Sequence, residues 1–233
     1  MVMKEYTEVE RIQFLKTAES GWITDAMRLL KIKERVINGI LPLKTYSTVA
    51  GRVFTMPTEH IVDPQQQTYT NFEMCNLIEQ NPNQVGVICC IGDELGRAQN
   101  QFSLCGDNLV RAMMNKGLTG LVIAGKSRDY NPIRALDFPV FAEGPSIKLP
   151  SVPVQWTKLN TPVEYAGVII NPGDYIMGDA DGVAIISPED IDSIIYQAER
   201  IDILERVFSC ALDNNADMVD FAKITAIKRI SRE

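Results

Sequence analysis

Asp107 and the adjacent pair Arg128-Asp129 have twenty residues between them, and the chain there reads as one unit of turn, helix, turn, strand and charged loop. The unit opens on Gly106-Asp-Asn-Leu109, runs as a helix from Val110 to Lys116 and breaks at Gly117-Leu-Thr-Gly120. A short apolar strand, Leu121 to Ala124, leads into Gly125-Lys-Ser-Arg-Asp129. The helix start at Gly106-Asp107 leaves backbone N–H groups without partners inside the helix, and these suit an anion. The strand delivers Arg128 and Asp129 to its C-terminal end, where open α/β sheets place ligands. An Arg beside an Asp puts a carboxylate binder next to a hard-metal ligand. Taken alone, such a pair is ordinarily a weak surface ion pair.

The surrounding sequence narrows this. Gly117-Leu-Thr-Gly-Leu-Val-Ile-Ala-Gly-Lys-Ser-Arg-Asp129 resembles the G-x-x-G-x-V-x-x-G-x-x-R-D signature of the family that holds the regulator of ribonuclease E activity and the 4-hydroxy-4-methyl-2-oxoglutarate aldolases. Asn171-Pro-Gly-Asp174 followed by Gly178-Asp-Ala-Asp-Gly-Val183 is similar to that family's P-G-D…G-D-x-D-G-V segment. Near the start, Ile23-Thr-Asp-Ala26 resembles its S/T-D-A-L stretch. The resemblance runs from about Thr24 to the region of Asn214.

The 233 residues suffice for one well-buried α/β domain with extra helices at its ends. The domain is read as 1–233, with a core of about 20–187 and C-terminal helices of about 188–230. A net charge of −7 argues against a nucleic-acid surface. The five cysteines are odd in number and mostly lie in apolar runs, which suits reduced thiols in a cytoplasmic protein. Cys89 and Cys90 are adjacent and point to opposite faces of a strand, so they are poor shared metal ligands. His60 is the single histidine, which nearly excludes a Ser-His-Asp triad or a multi-His zinc site. The first residues are polar, unlike a secretory signal, and no apolar run approaches the ~20 residues of a membrane span.

Taken in order, Glu5 to Ala18 has helical spacing and Gly21 breaks it. Thr24-Asp25 caps a second helix that carries Ala26, Met27 and Leu30 inward. Leu41 to Lys44 is a loop or short strand. Tyr46 to Thr55 is a strand whose Gly51 marks a bulge or a close approach, and Pro57 ends it. His60 to Gln67 is an exposed polar loop. Tyr69 to Gln80 is a helix with Phe72, Cys75, Leu77 and Ile78 near one face. Gln84 to Ile91 is almost wholly apolar, a central buried strand, and Gly92-Asp-Glu94 turns off its end.

Beyond Asp129, Tyr130 to Leu136 is a loop and Phe138 to Phe141 a strand. A crossing punctuated by Pro150, Pro153 and Pro162 follows. Ala166 to Ile170, Tyr175 to Met177 and Val183 to Ile186 are strands, the last two joined through Asp179 to Gly182. Ser187-Pro-Glu-Asp190 starts a helix running to about Leu212. Its stripe of Ile191, Ile194, Ala198, Ile201 and Phe208 is interrupted by Glu205. A carboxylate there must be paired, bound to metal, or at a subunit boundary. Asp217 to Ile230 is a last helix.

The resemblance implies a layered β/β/α core, of the swivelling-domain kind, with N- and C-terminal helical extensions. It also implies a divalent-metal-dependent (class II) retro-aldol cleavage of a 4-hydroxy-2-oxo acid that yields pyruvate, with Mg²⁺ or Mn²⁺ as cofactor. In that scheme Asp129 binds the metal directly, while Asp107 and Glu205, the latter from a neighbouring subunit, bind it through water. Arg128 holds the keto oxygen and, with Asp107, is the catalytic pair. The backbone at Gly106, Asp107, Asn108 and Leu109 takes the substrate carboxylate. Oxaloacetate decarboxylation forms the same enolate at the same site. The family implies a homotrimer or hexamer, and its ribonuclease regulators supply the alternative of a non-enzymatic protein binder. Two departures stand out: Ala124 replaces an Asp common in the family, and Lys126 adds a cation for a second substrate carboxylate or for solvent.

Overall fold

The computed structural model describes residues 4–60, 65, 67–91, 102–150 and 154–214. Along the chain these form α1 (Glu8–Thr17), α2 (Ser20–Leu29), β1 (Val36–Ile37), β2 (Leu41–Pro42), β3 (Val49–His60) and α3 (Asn71–Asn76). Then come β4 (Gln84–Ile91), β5 (Ser103–Cys105), α4 (Asp107–Asn115), β6 (Gly120–Ser127), α5 (Tyr130–Arg134) and β7 (Val140–Pro145). The last are β8 (Val154–Trp156), β9 (Val163–Tyr165), β10 (Val168–Ile170), β11 (Tyr175–Gly178), β12 (Val183–Ile186) and α6 (Ile191–Asp213).

The sheet order is β1-β12-β11-β3-β4-β6-β7-β2, with β5 beside β6 and β8 beside β3. Strands β3, β4, β6 and β7 run parallel. Both faces of these parallel strands are covered, which is why β4 after Gln84 and β6 up to Gly125 read as apolar runs. Alternation then sorts the side chains. Val85, Val87, Cys89, Val122 and Ala124 face one core, while Ile88, Leu121 and Ile123 face another.

The sheet curls. Phe141 on β7 comes within 3.1 Å of where a Cβ on Gly178 of β11 would stand, although β3, β4 and β6 lie between those strands in the sheet. The inside of the curl is filled by Val53, Phe141, Ile176 and Ile185, and the β9–β10 hairpin adds Val163 and Ile170 to the same cluster. On one outer flank α1, α2 and α6 bury Leu15, Ile23, Met27 and Ile194 against Tyr175, Met177 and Ile186. On the other, α3, α4 and α5 bury Met74, Val110, Met113 and Ile133 against Met56, Ile88 and Leu121. Each such Ile, Leu or Met contributes roughly 1.5–3 kcal/mol by leaving water. The α/β class, with helices toward both ends, is the one the sequence predicts.

Several local expectations are corrected. Helix α2 begins at Ser20 rather than at Thr24-Asp25, because a distant carboxylate holds its start. The Ser20 N–H and hydroxyl donate to Asp179 Oδ2 and Oδ1 at 2.7 and 2.9 Å. Gly21 therefore lies inside the helix, Asp25 pairs with Arg28 at 3.7 Å, and Leu30 is exposed. Pro57 does not end β3, since its carbonyl accepts from Thr157 N–H at 3.2 Å and β8 pairs with the strand beyond it. Gly51 marks a close approach, as expected: a Cβ there would stand 2.2 Å from the Asn83 carbonyl oxygen.

Helix α3 stops at Asn76 after the capping box of Thr70 and Glu73, leaving Phe72 and Leu77 exposed while Met74, Cys75 and Ile78 are buried. Strand β6 continues through Gly125 and Lys126 to Ser127, and α5 replaces the loop expected after Asp129. Ala166 belongs to a turn, not a strand. Ala166 (φ 53) and Gly167 (φ 78) are both left-handed, as a tight hairpin between β9 and β10 requires. Helix α6 starts at Ile191, not Pro188, and the preceding turn is closed by Ser187 Oγ donating to Asp190 Oδ2 at 2.5 Å. Most of the polar loop after His60, the turn Gly92-Asp-Glu94 and the last helix from Asp217 lie outside the described residues.

Candidate active site

Strands β5 and β6 end side by side, and three hydrogen bonds on one carbonyl clamp their ends together. Cys105 O accepts from the Ser103 and Ser127 hydroxyls, both at 2.9 Å, and from Arg128 N–H at 3.0 Å. Immediately beyond, one strand becomes the start of α4 and the other becomes Arg128-Asp129. Asp129 has φ 59, a left-handed backbone that Asp tolerates better than most residues. By position it precedes α5, but its carboxylate makes no capping bond there. It turns instead across the start of α4. Asp129 Oδ2 accepts from Asp107 N–H at 3.4 Å and lies 3.3 Å from Arg128 Nε. The positive end of the helix dipole favours an anion at that point.

Gly106 is the residue that permits this. A Cβ on it would stand 2.5 Å from Asp129 Oδ2 and 3.0 Å from Arg128 Nε, so the two side chains occupy the space a larger residue needs. Asp107 points its carboxylate toward Arg111 Nε at 3.6 Å, one turn along the helix. The site opens into a cleft of about 370 Å³. Gly106, Asp107, Asn108, Leu109, Arg128 and Asp129 all line it. The structure thus brings together, in one chain, six of the seven predicted site residues.

Glu205 is the exception. It is half-buried on α6, in the helical layer over β11 and β12, and does not line the cleft of its own chain. Lys126 sits on β6 beside Ser103 and Gly144 and does not line the cleft either. Ala124 is 1% exposed inside the curled sheet, where an unpaired carboxylate would be costly. Two aspartates of the second motif, Asp174 and Asp179, are architectural. Asp174 is buried, pairs with Arg35 and accepts Asn171 N–H at 2.8 Å, while Asp179 holds α2.

Reading the sequence missed the opposite wall. Thr58, Asn71, Phe72 and Trp156 line the cleft from β3, α3 and β8. Trp156 Nε1 donates to Asn71 Oδ1 at 2.6 Å, fixing α3 against β8. These residues come from distant segments and share no spacing. The one available signal was a tryptophan set in a proline-punctuated crossing.

The chemistry open to the cleft follows from its groups. Burial pushes the Cys105 thiol well above its ordinary range, so it is no thiolate at neutral pH. Among the described residues no group of three His, Cys, Asp or Glu side chains gathers to hold a metal. Asp107 and Asp129 are two accessible hard oxygen donors. That set suits Mg²⁺ or Mn²⁺, which take few carboxylates and keep their waters, and does not suit zinc.

The RraA-like family model, described as Aldolase/RraA, matches residues 21–185. A protein of Halalkalibacterium halodurans, provisionally named 4-hydroxy-4-methyl-2-oxoglutarate aldolase, is 29% identical over 194 residues, covering 83% of this chain and 84% of its own. Alignments with four further relatives span between 32% and 58% of those proteins' own length. Among solved structures, an uncharacterised protein from Pseudomonas syringae pv. tomato aligns with a TM-score of 0.73 at 21% identity, over 92% of this chain and 98% of that one. Streptomyces coelicolor RraAS2, described as an unusual member of the RNase ES inhibitor RraA protein family, aligns with a TM-score of 0.70 at 22% identity, over 87% and 99%. At those identities the likeness is one of fold. The family match takes in both signature segments and the whole cleft-forming unit from Gly106 to Asp129, and the chain belongs to the RraA-like family.

Proposed function

We propose that the Gly106–Asp129 cleft is the active centre of a carbon–carbon lyase that cleaves a 4-hydroxy-2-oxo acid to pyruvate with the help of Mg²⁺ or Mn²⁺. The observation that carries this reading is the packing of Asp129 and Arg128 against Gly106, which sets a carboxylate and a guanidinium beside Asp107 at a helix start. A ribonuclease-binding surface has no physical need for that grouping.

Asp129 would hold the metal directly and Asp107 would hold it through water. The bound ion supplies a Lewis acid that stabilises negative charge on the substrate's keto oxygen. Arg128 directs its N–H groups at the same oxygen, where they matter most as charge develops. Asp107 N–H is already turned to Asp129, so the substrate carboxylate falls to the N–H groups of Asn108 and Leu109 in the same first turn. The Asp107 carboxylate takes the 4-hydroxyl proton through a water as the C3–C4 bond breaks. Oxaloacetate would lose CO₂ at the same site, since it leaves the same enolate.

The proposal extends to assembly and place. In a homotrimer or hexamer, Glu205 of the adjacent subunit would face the cleft and add a second water-held carboxylate. All five cysteines are free thiols, which fits a cytoplasmic protein, and among the described residues no helix is long and apolar enough to cross a membrane. The direct test mixes the protein with Mg²⁺ and oxaloacetate or a 4-hydroxy-2-oxo acid and follows pyruvate. Pyruvate release that EDTA stops and Mg²⁺ restores supports the lyase. Its absence with both substrates leaves the regulator reading in its place.

A further inference from the structure

Resting on the lyase reading, activity depends on where Arg128 and Asp129 point. Packing of their own does not fix this, since the two side chains are 43% and 38% exposed. Their aim is set by the backbone beneath them, and that backbone is irregular. From Ile123 to Lys126 β6 advances three residues while β7 advances two, from Ala142 to Gly144. From Ser103 to Cys105 β5 advances two residues while β6 advances one. Such slips interrupt the ladder and re-aim the side chains that follow. Asp129 then sits at φ 59, a left-handed backbone that persists where the surroundings impose it.

Ser127 is 0% exposed, a place where a hydroxyl is costly unless it is bonded. Its Oγ donates to Cys105 O at 2.9 Å, and its carbonyl accepts from Ser146 N–H at 2.8 Å. Three donors meet on Cys105 O. The Ser103 hydroxyl turns back on its own strand, while Ser127 Oγ and Arg128 N–H cross from β6 to β5. The Ser127 hydroxyl thus supplies a strand-to-strand bond where the ladder slips. Cys105 is followed directly by Gly106, against which Asp129 and Arg128 pack, so this bond sets the spacing of the two halves of the site. We infer that Ser127 is a positioning residue: its hydroxyl ties the end of β6 to the end of β5 and so aims Arg128 and Asp129 across Gly106 and Asp107. Ser127 itself does not line the cleft.

The test compares Ser127→Thr, Ser127→Val and Ser127→Ala in the full chain. Thr and Val share a shape and add the same bulk, so a difference between them reports the hydroxyl. Ser127→Ala removes the oxygen without adding bulk. Binding of Mn²⁺ alone is followed by electron paramagnetic resonance, pyruvate release from oxaloacetate with Mg²⁺ gives kcat and KM, and a thermal melt gives stability. Ser127→Val and Ser127→Ala should bind Mn²⁺ about tenfold more weakly than Ser127→Thr and the unaltered chain, the lower end of what loss of a group that orients a metal ligand costs. At saturating Mg²⁺ their kcat should fall about tenfold while KM stays within about threefold, since Arg128 and the metal act most on charge that develops in the transition state. Thr55 is the control: it makes a bond of the same kind, Oγ1 to Thr161 O at 2.6 Å, from a buried position outside the cleft. Thr55→Val should lower the melt by a comparable amount and leave Mn²⁺ affinity and kcat unchanged.

Ser127→Ala with the Mn²⁺ affinity and kcat of the unaltered chain overturns the positioning role and leaves the lyase reading standing. Equal losses of kcat in Ser127→Ala and Thr55→Val overturn it too, because activity then follows stability alone. An unaltered chain that neither binds Mn²⁺ nor releases pyruvate overturns the lyase reading and this assignment with it.

Discussion

The carboxylate of Asp129 fills the space beside Gly106 that any side chain there would need: a Cβ at residue 106 would stand 2.5 Å from Asp129 Oδ2. The nearest atoms to that point belong to side chains, not to backbone. Gly106→Ala should therefore leave the fold intact and push Asp129 and Arg128 off their positions. The expected outcome is a fall in kcat on the order of 10²-fold, the scale of a misplaced catalytic group. A thermal melt close to that of the unaltered protein should accompany it. A collapse of stability instead would show that the clash falls on the backbone.

Asp179 tests the architectural reading of the second motif. It accepts the Ser20 N–H and hydroxyl and the Asp181 N–H, so Asp179→Ala leaves three donors without their acceptor. Losing a cap and burying unpaired groups costs about 1–3 kcal/mol. In a chain of this size that lowers Tm by about 2–4 °C per kcal/mol. Asp179→Asn keeps one carbonyl acceptor and should recover part of the loss. Differential scanning calorimetry on the two variants checks the order.

Stability should fall on the acid side because of Asp192. Arg11 Nε and Nη2 donate to its two oxygens, both at 2.7 Å, and tie α1 to α6. That hydrogen bonding from Arg11 is the main cause holding the Asp192 carboxyl below its ordinary range. A depressed carboxylate stabilises the fold fully above its unfolded value, about pH 4, and the contribution is lost as pH falls through the lower folded value. Urea midpoints measured from pH 7 down to pH 3 should therefore drop, and Asp192→Asn should flatten that drop while lowering the midpoint at pH 7.

The subunit-sharing proposal for Glu205 has its own test. Asp129→Ala and Glu205→Ala proteins should each be nearly inactive. Unfolded together and reassembled, mixed oligomers should regain part of the activity, because some interfaces then pair an intact Asp129 with an intact Glu205. No recovery in oligomers shown by mass spectrometry to be mixed removes Glu205 from the site.

What the sequence made legible follows from where the determining contacts lie. Strands β4 and β6 are buried on both faces, so their own residues announce them, and the β11–β12 hairpin carries its turn chemistry within itself. The Gly106–Asp129 unit is legible for the same reason: its helix, turn and strand are contiguous. The start of α2 was not, because its cap is Asp179, 159 positions away. The cleft wall of Asn71, Phe72 and Trp156 was not, because the sheet assembles it from segments that share no spacing. Glu205 stood out as a charge in an apolar stripe, yet helical register says nothing about which surface that stripe meets.

The most direct measurement is pyruvate formation from oxaloacetate with Mg²⁺ by the unaltered chain, by Asp129→Ala and by Arg128→Lys. Asp129→Ala removes the proposed direct metal ligand and should abolish activity while the protein stays folded. Arg128→Lys keeps the charge but loses the planar fork, and kcat should fall by on the order of 10²-fold or more. Turnover by Asp129→Ala comparable to that of the unaltered chain, or full turnover after exhaustive EDTA treatment, would contradict a metal-dependent lyase centred on Arg128-Asp129.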